Sequence, residues 1–515
     1  MRLEILTITK NKHMKTYSTY KIYFISLIFI YLLNSCGVKI KDFSVDNNLP
    51  SIYPDYTNII IPPNIAPLNF YIKETAKKYH VEIHSLNGGR ILIDQSSPKI
   101  EIPMRKWHRL LEENIGQDLY IDIFTKKDKW VKYASIKDSI VSERIENYLV
   151  YRLINGAYIF WKKMGIYQRN LENFDQTPIF ENSSANEACV NCHSFCRNNP
   201  KKMSMHFRMT HAGTMILDGK NLKKINTNTK YTISACAYPS WHPNGELIAY
   251  SVNTIRQNFP ADNYKTQDVF DKVSDIVIYN IKTNTLFTSP KISTKSRENL
   301  PTWSPDGRWM YFISAPEVKE NEENLTRVKY DLLRIPFDTT TNTFGDIDTV
   351  LRSKETGLSI TFPVVSPDGK YILFGMTDYG YFPVYHSISD IYILEIATRK
   401  YHKLECNSNS TDSYHSWSLT GRWFVFSSKR LDNTYSRSFF SYFDKDGKAH
   451  KPFILPQKDP LFYDTYLKNF NRPELVTGKV ELNDREVRDL VLTEPIKVNF
   501  DSVASEKKLS VALVH

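Results

Sequence analysis

An all-β fold, built from four-stranded units repeated around an axis and preceded by a small β-sandwich, is what this chain of 515 residues predicts. Three observations predict it. Aromatic residues are abundant (32 Tyr, 28 Phe and 8 Trp) against only 18 Gly, a balance that favours strands. Four segments of the second half align with one another. Short apolar runs broken by turn residues fill much of the first half. The length calls for two to four domains, or for one large β-architecture with a smaller companion.

The N-terminus reads as an address rather than as structure. Ile22 to Leu33 is a twelve-residue run, apolar but for Ser26, behind a basic region, long enough for a signal sequence and short for a membrane span. It ends in Leu33-Asn34-Ser35-Cys36-Gly37, which resembles a bacterial lipobox. The resemblance implies removal of residues 1–35, lipidation of Cys36 and a membrane-anchored chain facing the periplasm or the cell exterior. In such an oxidising compartment cysteines are expected to be paired, bonded to a cofactor or bound to metal. The formal net charge is +11. Arg2, Lys10, Lys12, Lys15 and Lys21 against Glu4 account for +4 of it, and the remaining +7 is spread without a basic run. Nothing in that pattern points to nucleic acid.

Residues 36–60 are polar and read as a tether. Residues 61–140 carry the runs of the β-sandwich. Among these, Asn87-Gly88-Gly89 marks a hairpin and one helical turn is expected near Arg105 to Glu113. Residues 141–188 read as a connector or a partial unit.

The repeat occupies residues 189–460. Its clear copies are YPSWHPNGELIAYS, LPTWSPDGRWMYFI, FPVVSPDGKYILFG and YHSWSLTGRWFVFS, aligned on Trp241, Trp303, Val365 and Trp417. Each copy has a strand, a Pro-Asp-Gly-type turn and a second strand. In the last copy Leu419-Thr420 replaces Pro-Asp, so a different turn is expected there. Asp306 and Asp368 are explained by turn formation rather than catalysis. One hairpin cannot bury its own face, but four-stranded units packed around an axis can. The pattern resembles the PD40 or TolB-like repeats of six-bladed β-propellers, which implies five to seven blades here. A fifth blade is read from His193-Ser194-Phe195, Met203 to Phe207 and Gly213 to Leu217. A sixth is read from Tyr148 to Phe180, closed by the C-terminal segment 461–515.

One motif remains. CVNCHSFC places Cys189, Cys192, His193 and Cys196 at the entrance to an innermost strand, in a chain with six cysteines. Cys-x-x-Cys-His is the attachment signature of a c-type haem, with two thiols for the two vinyl groups and the histidine as proximal ligand. His206 or Met205 is the expected distal ligand, chosen from Met203, Met205, His206, Met209 and His211. The alternatives are zinc, an iron–sulfur cluster that borrows Cys236 or Cys406, or structural disulfides Cys189–Cys192 and Cys196–Cys236. The whole resembles envelope lipoproteins with TolB-like propellers and an embedded cytochrome-c motif. No Gly-x-Ser-x-Gly, His-Glu-x-x-His, Walker or Gly-x-Gly-x-x-Gly motif occurs, so no catalytic residue is assigned. The functions expected are electron transfer or redox sensing through a covalent haem or, in its place, a non-catalytic scaffold that binds a protein or glycan partner at the propeller face. A haem enzyme of peroxidase type is the third expectation.

Overall fold

A computed structural model describes residues 40–156, 162–259, 267–318, 322–386 and 389–502. Cys36 and the apolar run before it lie outside the described residues. Among the described residues the regular structure is predominantly strand, in eight sheets. No helix among the described residues is long and apolar enough to cross a membrane.

Six of the sheets are the blades of a propeller. Each innermost strand begins a new blade: Cys189–Phe195 in blade 1, Ala237–Trp241 in blade 2, Arg297–Trp303 in blade 3, Ser359–Val365 in blade 4 and Asp412–Trp417 in blade 5. Blade 6 is assembled from both ends of the repeat region. Its innermost strand is Lys468–Val476, and its outer strands are Tyr148–Asn155, Gly165–Asn170 and Gln176–Glu181. The stretch 141–188 is therefore mostly blade rather than connector. After closing the ring, the chain adds two short parallel strands, Ile496–Lys497 on blade 1 and Asn499–Phe500 on blade 2.

The turns after the innermost strands of blades 2 to 5 follow one recipe. In blade 3 Ser304 Oγ donates to Asp306 Oδ1 (2.5 Å), and Asp306 accepts from Arg308 N (3.1 Å). Gly307 takes φ +73°, which a side chain disfavours. Blade 5 lacks Pro-Asp but keeps the turn. Thr420 Oγ1 lies 2.9 Å from Ser418 Oγ and accepts from Arg422 N (3.2 Å). The expectation of a different turn there is corrected, because a hydroxyl accepts the same hydrogen bond as the carboxylate.

The N-terminal domain has a seven-stranded sheet, a three-stranded sheet and the helix Met104–Glu112. The helix follows Pro103 and buries Trp107, Leu110 and Leu111. The tether reading of residues 36–60 is also corrected. Phe43–Val45 pairs with Trp130–Lys132, Ile52–Tyr53 pairs with the strand Phe70–Ile72, and Ile52, Tyr56 and Ile59 are buried. These strands are too short to show a period among polar neighbours. The domain rests on blades 5 and 6 through one continuous apolar core. Trp423 Nε1 of blade 5 donates to Glu143 O (2.8 Å), and Glu146 accepts from Leu419 N (2.6 Å).

Phe470, on the closing strand, is 1% exposed and packs 4.8 Å from the Tyr151 ring across the junction of the two chain ends. Phe470→Ala is expected to destabilise the propeller by about 3–5 kcal/mol. Urea denaturation checks this.

Candidate functional site at the channel mouth

Every innermost strand carries one bulge, and at each bulge one non-glycine residue takes a left-handed conformation. These residues are Cys192 (φ 48°), Tyr238 (50°), Leu300 (50°), Phe362 (47°), Tyr414 (50°) and Arg472 (50°). The pairing register shifts at each of them. An L-residue pays roughly 1–2 kcal/mol for this conformation, so six copies mark a position that the ring requires. The result is convergence on the axis. Phe362 and Tyr414 rings lie 5.0 Å apart, and Phe382 stands 6.0 Å from each of them and 6.4 Å from Tyr238. Phe382 belongs to the segment 378–386, which folds over one end of the channel. Asp268 holds this segment, 2.8 Å from Tyr379 Oη and 2.7 Å from His386 Nε2.

On the other side of this aromatic plug the six innermost strands surround a cavity of about 260 Å³. Trp241, Trp303 and Trp417 line it, with a proline after the left-handed residue in blades 2, 3, 4 and 6. Arg197, Arg472 and Glu474 supply its charge, all from blades 1 and 6. Glu474 Oε2 accepts from Phe195 N (3.1 Å). Burial raises the Glu474 carboxyl to about 7, against the lowering pull of Arg472.

The structure separates the residues of the cytochrome-like motif. Cys189 and Cys192 are half-buried, and neither is paired; Cys196, Cys236 and Cys406 are also free thiols. The disulfides weighed from the sequence are thus not formed. Cys189 and Cys192 share one neighbour, Arg208. Burial works against the Arg208 charge, but Cys192, Tyr238 and Cys189 hold its pKa above the ordinary value. Among the described residues no group of three His, Cys, Asp or Glu side chains is placed to hold a metal ion.

His193 has another task. Aligned on the left-handed residue, it occupies the position of Pro239, Pro301, Pro363, His415 and Pro473. His415 Nε2 bonds Phe362 O of the preceding blade (2.8 Å). His193 faces the matching backbone of blade 6, at Arg472 and Val150. Burial, reinforced by Arg472 and Arg152, pushes its pKa down to about 3. Its Nε2 is buried without a hydrogen-bond partner. A covalent haem needs two thiols and an imidazole with a face open to the iron. The free thiols of Cys189 and Cys192 meet the first requirement, but an imidazole that is 1% exposed and packed against blade 6 does not meet the second. Met205 is fully buried in the apolar core shared by those blades. His206 is buried with Nδ1 3.1 Å from Thr214 Oγ1. The residues as folded do not fit a haem ligated by His193.

Two features of the mouth escaped sequence reasoning. Arg472-Pro473-Glu474-Leu475 is a sixth copy of Tyr-Pro-Ser-Trp, recognisable only by its X-Pro step because no Pro-Asp-Gly turn follows it. The plug at Tyr381-Phe382 lies in a loop inside blade 4, between its second and third strands, and carries no periodic signal.

No protein-family model and no curated protein matches the chain. Among solved structures it is similar to TolB from Acinetobacter baumannii (13% identity, 70% of this chain and 79% of that one, TM-score 0.40). It is also similar to a TolB from Agrobacterium tumefaciens (16% identity, 61% and 89%, TM-score 0.36). A third likeness is to the tricorn protease (13% identity, 66% and 34%, TM-score 0.35).

The buried histidines make the fold acid-sensitive. His193 and His206 are pushed down to about 3 and His415 to about 4, each mainly by burial, from an ordinary 6.5. Below pH 6.5 the unfolded chain binds these protons and the folded chain does not, so stability is lost as pH falls towards the folded values. Each histidine contributes at most about 1.4 kcal/mol per pH unit. His415→Pro, which installs the residue that four other blades use, is expected to fold and to reduce the pH slope between 6 and 4 by up to that amount. Chemical denaturation at several pH values, wild type against variant, checks it.

Proposed function

We propose that this chain is a binding scaffold of the cell envelope, tethered by lipid at Cys36, that takes a partner at the mouth of its propeller channel. The observation that carries this reading is the cavity itself. All six innermost strands contribute residues to it, and its walls are rich in tryptophan, tyrosine and proline. Such surfaces are rigid, lose little entropy on binding and dominate recognition sites. The plug around Phe382 makes the cavity blind, which suits capture better than passage.

Ser240 lines the cavity and is half-buried. Ser240→Trp is expected to fill the mouth and abolish in-cell cross-linking of the full chain to its partner, while the thermal melt stays within a few degrees. Unchanged cross-linking would remove the mouth from consideration. Cys36→Ala is expected to move the protein from the membrane pellet to the soluble fraction.

A covalent c-type haem is the second reading, favoured by the two free, half-exposed thiols beside Arg208. Such a group, when bound, supplies reversible one-electron chemistry. The placement of His193 weighs against it. Expression with cytochrome-c maturation, followed by intact mass and visible spectrum, separates the two readings. The scaffold reading expects the bare mass and no reduced α-band. A mass raised by one haem that is lost in Cys189→Ala would establish the second. His193→Pro would then report whether the imidazole serves as ligand, because the repeat tolerates proline at that position.

A further inference from the structure

We propose that the channel-mouth cavity recognises a free carboxylate borne on an apolar body, with Arg472 as the anchor; this rests on the mouth being the binding surface and names what it binds. The six left-handed positions converge on the axis, and they carry one thiol, two phenols, two hydrocarbon side chains and one cation. Arg472 is that cation, and its guanidinium is poorly used by the fold. Its Nη2 reaches Pro239 O only at 3.4 Å, and its Nε stands 3.6 Å from Glu474 Oε1. The first distance is at the limit of a hydrogen bond and the second is beyond it. A planar fork with five donors, held beside apolar walls with only a long ion pair to Glu474 and a long contact to Pro239 O, matches a carboxylate bidentately.

The rest of the lining narrows the ligand class. The neutral donors of the cavity are mostly committed to the protein. Trp241 Nε1 donates to Ser194 O (3.3 Å), Trp417 Nε1 to Val364 O (3.2 Å) and Ser416 Oγ to Pro473 O (2.8 Å). A sugar, which needs several free donors and acceptors around each ring, finds few here. Trp303 lines the cavity with its ring, and its Nε1 is buried out of reach of a ligand. The strong donors that face the cavity are therefore the guanidinium groups. Arg197 at the rim adds a second positive charge, and Glu474 is already engaged by Phe195 N. The balance favours an anionic head with an apolar body against Trp241, Trp417 and the prolines.

A free small acid and the C-terminus of a protein partner share this chemistry, and two probes distinguish them. The full chain in detergent is titrated with N-acetyl-Ala-Leu-Phe, with its C-terminal amide and with 4-phenylbutyrate, following the quenching of tryptophan fluorescence. The tripeptide acid is expected to bind at least tenfold more tightly than the amide. Arg472→Gln is expected to erase that difference and Arg472→Lys to restore part of it. Binding of the tripeptide acid alone identifies a chain terminus as the ligand; comparable binding of phenylbutyrate identifies a small acid. Equal affinity for acid and amide, or no binding of either acid, overturns the proposal. The acid–amide comparison is made on the unaltered protein, so it holds even where Arg472→Gln fails to fold. Loss of partner cross-linking in Ser240→Trp together with equal acid and amide affinities would leave the mouth as the binding surface and reject only the carboxylate.

Discussion

The structure depends on the pairing of Lys468–Val476 with Tyr148–Asn155. A blade buries its two faces only against its neighbours, so an open ring leaves two apolar faces in water. Here the strand that fills the gap comes from the far end of the chain, more than 300 residues from its partner. Phe470, Leu475 and Val476 of that strand are buried against Tyr151, Leu149 and Val150. Closure also couples the domains, because the core that includes this strand runs on through blade 5 into the N-terminal sheets. Long-range pairing of this kind forms late, and it makes the ring all-or-none.

The same strand decides the chemistry of the mouth. A six-fold ring of bulges would by itself give six equivalent positions on the axis. The fold fixes the backbone there and leaves the side chain free, so each blade carries a different residue. Five positions are uncharged groups, which fill the axis together with Phe382. The sixth, Arg472, breaks the symmetry on the strand that also carries Glu474. The charge of the cavity therefore comes from the two blades nearest the closure, and the apolar wall from the other four.

Most of the propeller was legible in the sequence because its turns need particular residues. Asp306-Gly307 and Asp368-Gly369 announce a hairpin through the positive φ that glycine tolerates and the carboxylate that caps the turn. Blade 5 was legible despite Thr420, since its tryptophan and its second strand kept their spacing. The short strands at Phe43 and Ile52 were hidden because two or three residues cannot show a period of two among polar neighbours. Arg472 was hidden because its copy of the repeat is separated from the rest of its blade by the whole ring. Sequence reasoning set CVNCHSFC at an innermost strand, where Cys189–Phe195 lies, yet it could not see that His193 stands in the proline position of the repeat.

That overlap sets two demands on one residue. As a propeller residue, His193 must fill the gap between blades 1 and 6, neutral and close to the backbone of Arg472 and Val150. As a haem ligand it would have to leave that gap and open a face to the iron. Freeing it means moving the strand Cys189–Phe195, on which Val190 and Phe195 are buried in the core shared with blade 6. Exposing two such side chains costs about 1.5–3 kcal/mol each, before the backbone pairing to Lys202–Arg208 is counted. The thiols carry no such conflict. Cys192 already occupies an axial position, and Cys189 and Cys192 are free and only half-buried, so neither sulfur has to leave a core position to be reached.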